Sequence, residues 1–440
     1  MKKGFWLDVL LATLLVFFIM WGIFKITQLN FFDAFDSIGQ ALSDVELTDY
    51  VYKGLREDPS VDENIVVVNV GNLSRREIAE QISIISKYDP RVIGLDFFLD
   101  CPFGRDTLSC PQLKDEFGNQ MLSYVIKDAG NVVLVTKLEQ TDSLKIMNTG
   151  EVFDSLKRSD PIFRDVAAAE GFANLDTDAA FQDDVKTCRA FNPVMPMVNG
   201  ETERAFGVEI AMLFDSVKTK RFLERGNYSE LIDYRGNVFD VFQQNNPHYR
   251  NVFYTLDVQD VLEENFTAET IRDKVVIFGY LGAELGDPSW TDRFYTPLNG
   301  KLAGKANPDM FGVVVHANIV SMILHETYIN SMAGWGEIVM AFIFCLLNMM
   351  LFAGIMERLP LWYDGLTKLI QVIEILLLTV IMVLVFHWFS YKADMGITLA
   401  AIALAGDTLE VYDGVFKNAF LRFKRWFTKR GIRVLMFSKR

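Results

Sequence analysis

The sequence predicts a mixed or doubly wound α/β domain, held outside the cytoplasm between α-helical transmembrane segments, one before it and three after it. Three observations carry that reading. Two uncharged apolar runs, Val9–Phe24 and Ile338–Met356, approach the ~20 residues that a helix needs to cross a bilayer. Between them, short runs rich in Val and Ile alternate with stretches of helical periodicity, as in sheets covered on both faces by helices. Charge is also segregated. Of a net −14 over 440 residues, the segment Phe416–Arg440 contributes nine basic residues and no acid, so residues 1–415 carry −23. An acidic body excludes nucleic acid as its natural partner, and the basic tail is what a cytoplasmic flank requires.

The first span, 5–25, follows Lys2 and Lys3, and no small-residue cleavage site comes after it, so it reads as a retained helix with a cytoplasmic N-terminus. The second, 336–356, is entered through Trp335, and the third, 368–390, ends at the interfacial aromatics Trp388 and Tyr391. The third contains Glu374, read as a snorkelling or helix-paired carboxylate. The fourth, 394–412, rests on only twelve uncharged residues, Met395–Gly406. Parity argues for it: without a fourth crossing, the basic tail would lie outside. In the tail, 415–440, Phe416, Phe420, Phe423 and Phe427 recur at helical spacing among Arg422, Lys424 and Arg425. That pattern suits a helix lying on anionic membrane lipids, and a bare topology signal would explain the charges equally well.

Within 30–330, Ile65–Val70 is a continuous apolar strand. Ser74 with Glu77 forms a capping box opening a helix that ends before Pro90, and Arg91–Leu99 is the next strand. This strand–helix–strand unit is the usual route to parallel pairing. Further elements follow: a helix around Gln112–Ile126, a strand at Val132–Val135, apolar runs at Gly171–Leu175 and Lys186–Phe191, and a helix near Glu203–Phe214. A last strand, Lys274–Gly279, precedes a helix over Phe311–Thr327. The polar stretch Gly200–Asn251 is hard to place and leaves two subdomains open.

Asp96 follows an apolar strand, Asp287 follows the last one, and His316 interrupts a Val-rich helix start. In α/β sheets, ligand crevices form beyond the carboxyl ends of strands. Together these three are ligand-binding candidates; singly, each reads more simply as a turn former or a core histidine. Cys101 and Cys110 share one short loop and are disulfide candidates in an oxidising compartment. No close Cys or His spacing suggests a metal site, and no cofactor is expected. A GxSxG elbow, a P-loop, HExxH and the dinucleotide glycine fingerprint are all missing, so enzyme activity is not expected. The glycine cluster Gly279–Gly286 has the wrong spacing for a phosphate cradle and reads as a flexible turn.

Several of these pieces, in this order, resemble the type-two CHASE domain: Asn64–Val70, Val92–Asp96, Gly171–Leu175, Asp273–Gly279, Gly286-Asp287, Thr296-Pro297 and Gly312–Asn318. The Trp-Pro-rich opening of the first helix usual in that family is replaced here by Asn72-Leu-Ser-Arg-Arg. The resemblance implies an extracytoplasmic sensory module in the bacterial inner membrane with one helix before it and about three after. The 27 residues after Asp413 are too few to make a kinase or cyclase output domain. A sensor or receptor subunit signalling to a separate protein is therefore expected, with homo-oligomers possible. A non-catalytic structural or assembly subunit of an envelope complex is the alternative. Reporter fusions active only outside the cytoplasm test the topology: they should report after Asn227 and stay silent after Arg440.

Overall fold

The computed structural model describes residues 5–27, 46–56, 59–101, 110–142, 144, 152–175, 187–239, 250–287, 291–299, 307–419 and 422. The chain forms two compact units, residues 1–40 with 330–440, and residues 41–329. The first unit begins with helix α1 (Phe5–Thr27).

The second unit is a doubly wound α/β structure. Its strands are β1 (Asp62–Asn69), β2 (Val92–Leu95), β3 (Val132–Glu139), β4 (Ser155–Lys157), β5 (Ala169–Phe172), β6 (Phe253–Leu256) and β7 (Val275–Gly279). They form one sheet in the order β6-β1-β7-β2-β3-β4, with β5 also on β3. All pairings are parallel except β3 with β4. Helices α2 (Arg75–Ser86) and α3 (Glu116–Ala129) cover one face, together with the short helices Val258–Leu262 and Ala268–Ile271. On the other side, α4 (Phe206–Phe214) lies over β2, β3 and β5, with α5 (Ser216–Leu223) behind it. Beside α4, α6 (Gly312–His325) lies over β1 and β7.

The local signals hold where they were strongest. Ser74 caps α2 and Glu77 answers from its first turn, completing the box. Asp115 caps α3, so that helix starts later than its periodicity suggested, after the 3-10 turn Pro111–Lys114. Two expectations change. β1 and β2 run parallel but are not neighbours, because β7 inserts between them. The Lys186–Phe191 run contributes only Ala190–Phe191 to a two-stranded ladder with Glu230–Leu231, off the main sheet. The strand β6 was not anticipated. As an edge strand it buries only part of its residues and leaves Tyr254 exposed, so its pattern is diluted.

Two glycines let α4 and α6 approach the sheet. A Cβ on Gly171 would lie 2.8 Å from the Phe206 backbone Cα, and one on Gly279 would lie 2.5 Å from the Val313 Cβ. At the rim of this unit a disulfide joins Cys101 to Cys110, with Cα atoms 5.5 Å apart, while Cys188 is buried and outside any disulfide.

In the first unit, α7 (Gly334–Arg358), α8 (Tyr363–Phe389) and α9 (Gly396–Val411) join α1. Three helices are long and apolar enough to cross a membrane: Phe5–Lys25, Gly334–Arg358 and Pro360–Phe389. α9 has 16 residues, about 24 Å, and continues into the π-helical turn Tyr412–Phe416. Its small residues Ala401, Ala405 and Gly406 are buried, and with α1 and α7 it shares the core of Val9, Ala12, Cys345 and Met349. Polar side chains hold it in place. Gln371 donates to the carbonyls of Ile402 and Ala403 at 2.7 and 3.1 Å, the Tyr363 hydroxyl donates to Gly406 at 2.8 Å, and Glu337 accepts the Ile397 N–H at 2.7 Å. Glu374 is not helix-paired: its Oε2 is buried without a hydrogen-bond partner among the described residues.

Of the expected membrane-surface stripe, Phe416 and Arg422 are exposed, whereas Phe420, Phe423, Lys424, Arg425 and Phe427 lie outside the described residues.

A side chain at Gly171 must displace α4 backbone, and overpacking of this kind costs about 1–3 kcal/mol. Gly171→Ala should therefore lower the melting temperature of the second unit in thermal unfolding. An exposed substitution such as Gly54→Ala, whose Cβ meets no neighbour and whose backbone is not left-handed, should leave it nearly unchanged.

Candidate functional site

Two of the three ligand-binding candidates, Asp96 and His316, meet at the sheet's carboxyl edge. Asp96 is the first residue beyond β2, and its N–H prolongs the ladder by donating to the Phe278 carbonyl at 2.8 Å. Its side chain is only 11% exposed, and no hydrogen bond reaches its carboxyl group among the described residues. The nearest basic atom is His316 Nε2, 3.9 Å from Oδ1, too far for a hydrogen bond. Burial pushes the Asp96 carboxyl up to about 7.

His316 faces it from the second turn of α6. It is 3% exposed and packs edge-to-face on Phe206 with ring centroids 5.3 Å apart. Its Nδ1 is buried without a hydrogen-bond partner. Burial lowers the imidazole to about 4, a hydrogen bond with the Ala173 backbone working in the opposite direction, so the ring is neutral near pH 7.

A third group went unnoticed in the sequence. Asp292 holds a left-handed backbone, φ +57°, and its carbonyl accepts the Gly312 N–H at 2.9 Å. Its carboxyl oxygens stand 3.2 Å from where a Cβ on Gly312 would be, against the first turn of α6. The residue as a whole is exposed; partial burial of its carboxyl, with the neighbouring charge of Asp96 adding, pushes it upward. Asp292 was hidden because it sits in an irregular stretch with no period, and its place on α6 exists only after the chain folds back.

The structure thus brings Asp96 and His316 together and adds Asp292. Asp287 is not part of this cluster. Its Oδ2 accepts the Ala283 N–H at 2.9 Å, closing the turn that Gly282 and Gly286 allow with φ of +104° and +92°. Alternate amides of that glycine turn are already engaged: besides Ala283, Leu281 N–H goes to Asn69 Oδ1 and Leu285 N–H goes to Asp257 Oδ2. Asn69 Nδ2 then ties Asp257 and the Gly282 carbonyl at 2.8 and 3.2 Å. The turn is a latch across the ends of β1, β6 and β7. Among the described residues no group of three or more His, Cys, Asp or Glu could hold a metal ion.

At the opposite end of β1, Ser321 and His325 from α6 meet Asp62. Both contact the same oxygen, Oδ2, with the imidazole at 3.1 Å. The order is Ser–Asp–His, so the imidazole's partner is the carboxylate and not the hydroxyl. A nucleophilic triad needs the histidine in the middle. Burial acts to raise the Asp62 carboxyl, but the bonds from His325, Ser321 and the Asn64 backbone outweigh it and hold it below the usual range. This cluster fastens the last turn of α6 to the sheet.

A family model described as the CHASE2 domain matches residues 11–351. Neither the curated proteins nor the solved structures contain a match to the chain.

The raised carboxyl of Asp96 has a signed consequence for stability. Its folded-state value, about 7, lies above the ordinary 3.8, so its contribution is fully present below about pH 4 and is lost as pH rises through 7. Asp96→Asn should therefore stabilise the folded unit at about pH 8, by ~1–4 kcal/mol at most, and have little effect near pH 4. Thermal unfolding of the variant and the parent at both values checks the sign.

Proposed function

Because the chain belongs to the CHASE2 family, a family of extracytoplasmic sensory domains, we propose that it is a sensor subunit of the bacterial cytoplasmic membrane. Its α/β domain detects a chemical change at the carboxyl edge of the sheet and passes it through the membrane helices to a separate protein. One observation carries this reading. Asp96 and the buried His316 face each other at 3.9 Å with no lysine or arginine partner among the described residues, which is costly to keep, and the more exposed Asp292 lies over the first turn of α6 beside them. α6 is also the domain's last helix, and the chain continues from it into α7.

Buried, perturbed groups of this kind concentrate at functional sites because structure alone gains little from them. Both termini are cytoplasmic in this reading, and α9 completes the crossing that returns the basic tail to the inner side. The chain itself is not catalytic here, and membrane lipids line the helices. The rival reading, a docking subunit of an envelope complex, draws support from α3, where Phe117 and Tyr124 are 65% and 67% exposed on one helix face.

Spin labels at Arg358 and Val411, in the full chain reconstituted in nanodiscs, separate the two. For a sensor, Asp96→Asn, Asp292→Asn or His316→Gln changes the inter-label distance distribution. For a docking subunit the distribution stays as in the parent, and affinity purification from native membranes returns a stoichiometric envelope complex.

A further inference from the structure

We infer that the exposed face of α3 pairs with the same face of a second copy of this chain, in an antiparallel, two-fold symmetric arrangement. This goes beyond the sensor reading and does not depend on it: it gives the α3 face an occupant other than an envelope complex.

The surface is built from one helix and its neighbours. Phe117 and Tyr124 are seven positions apart, two turns along α3, so they share one face, with the half-buried Met121 between them. Leu122, Val125 and Ile126 are buried on the other side, in the core. Beside Tyr124 the short helix Pro161–Arg164 adds the exposed Ile162, placed there because Ser123 Oγ donates to the Ile162 carbonyl at 2.6 Å. At the other end, Arg76 of α2 sets its guanidinium 5.2 Å from the Phe117 ring centroid and pairs at 2.6 Å with Asp115, the cap of α3. Phe117 is therefore steadied before anything binds, which lowers the ordering cost of an interface.

Charge selects the occupant. Residues 1–415 carry −23, so two such bodies repel where their acidic surfaces meet. Along α3 the signs balance: Arg76, Lys114 and Lys127 match Asp115, Glu116 and Asp128. A basic partner drawn by charge would settle on the acidic remainder of the body, whereas a copy of the chain meets least repulsion here.

The order of the charges is also self-complementary. When two α3 helices run antiparallel with Phe117 opposite Tyr124 of the second copy, Gln120 lies near the symmetry axis. Glu116 then comes level with Lys127 of the second copy, on the flank that also carries Gln120, and Lys114 comes level with its Asp128. The two-fold operation repeats each contact, as an isologous interface requires. A parallel pairing would set Glu116 against Glu116 and Lys127 against Lys127, and like charges so placed are costly. Area decides the setting. One helix face falls short of the ~800 Å² per partner of a standard interface, so the pair is weak between free domains. Confinement of two copies to one membrane raises their effective concentration, as a tether does.

Cysteine cross-linking of the full chain in native membranes tests the pairing. The native thiols do not compete, because Cys101 and Cys110 are bridged and Cys188 and Cys345 are buried. Gln120→Cys should give a covalent dimer. Val217→Cys, exposed on α5 over the opposite face of the sheet, should give none. Energy transfer between labelled copies in liposomes, over a range of protein-to-lipid ratios, then reads the strength of the dimer. Glu116→Lys and Lys127→Glu should each weaken it by on the order of 10-fold. The double variant, which restores opposite signs at both pairs, should recover it. Both side chains are exposed, so these exchanges leave the core intact. A monomeric Gln120→Cys, or one joined to a protein of another size, overturns the inference. So does a double variant that is no tighter than the single ones, and the α3 face then belongs to a different partner.

Discussion

The close seating of α4 and α6 on the sheet is the constraint on which the rest of the domain depends. Parallel sheets must be covered on both faces, and here one cover is set down where Gly171 and Gly279 leave no side chain in the way. That closeness buries the first turns of both helices against the strand ends, so Phe206, His316 and Asp96 meet with little water between them. Looser seating would hydrate the carboxyls, and their perturbed character would be lost with the dry wall that causes it.

The same helix is held at both ends by different means. Its carboxyl end is fastened by a satisfied network in which Asp62 accepts from Ser321 and is contacted by His325. Lys218 and Arg221 of α5 add bonds to the Leu324 carbonyl and the Glu326 carboxylate. Its amino end faces polar groups that are not satisfied. A rigid element with one settled end and one costly end is suited to a domain whose state must change with its surroundings, because the costly end is where a small free-energy input is felt.

The membrane unit solves a different problem. α9 is too short and too rich in Ala and Gly for hydropathy to mark it clearly. Its small residues permit tight packing, and Gln371, Tyr363 and Glu337 spend hydrogen bonds on its backbone. Glu374, on the same helix as Gln371, finds no such partner for Oε2 among the described residues. Interhelical hydrogen bonds thus do for α9 what apolar length does for α1, α7 and α8.

By itself the sequence determined whatever depends on near neighbours in the chain. Continuous apolar runs gave β1, β2 and β7, the Ser74–Glu77 box gave the start of α2, and uncharged length gave the long membrane helices, because period, capping and hydropathy are local properties. Asp96 and His316 were legible because each is a polar residue breaking an apolar element at its end. Tertiary structure alone decided the rest. β7 slips between β1 and β2, β6 adds an edge, Asp287 closes a turn while Asp292 lies over the first turn of α6, and the Leu281, Ala283 and Leu285 amides of the glycine turn are taken by Asn69, Asp287 and Asp257. Apart from the Ala283–Asp287 turn, each of these pairs residues far apart in the chain. Strand order, counter-charge and burial are properties of the packed molecule, and no window of sequence contains both partners.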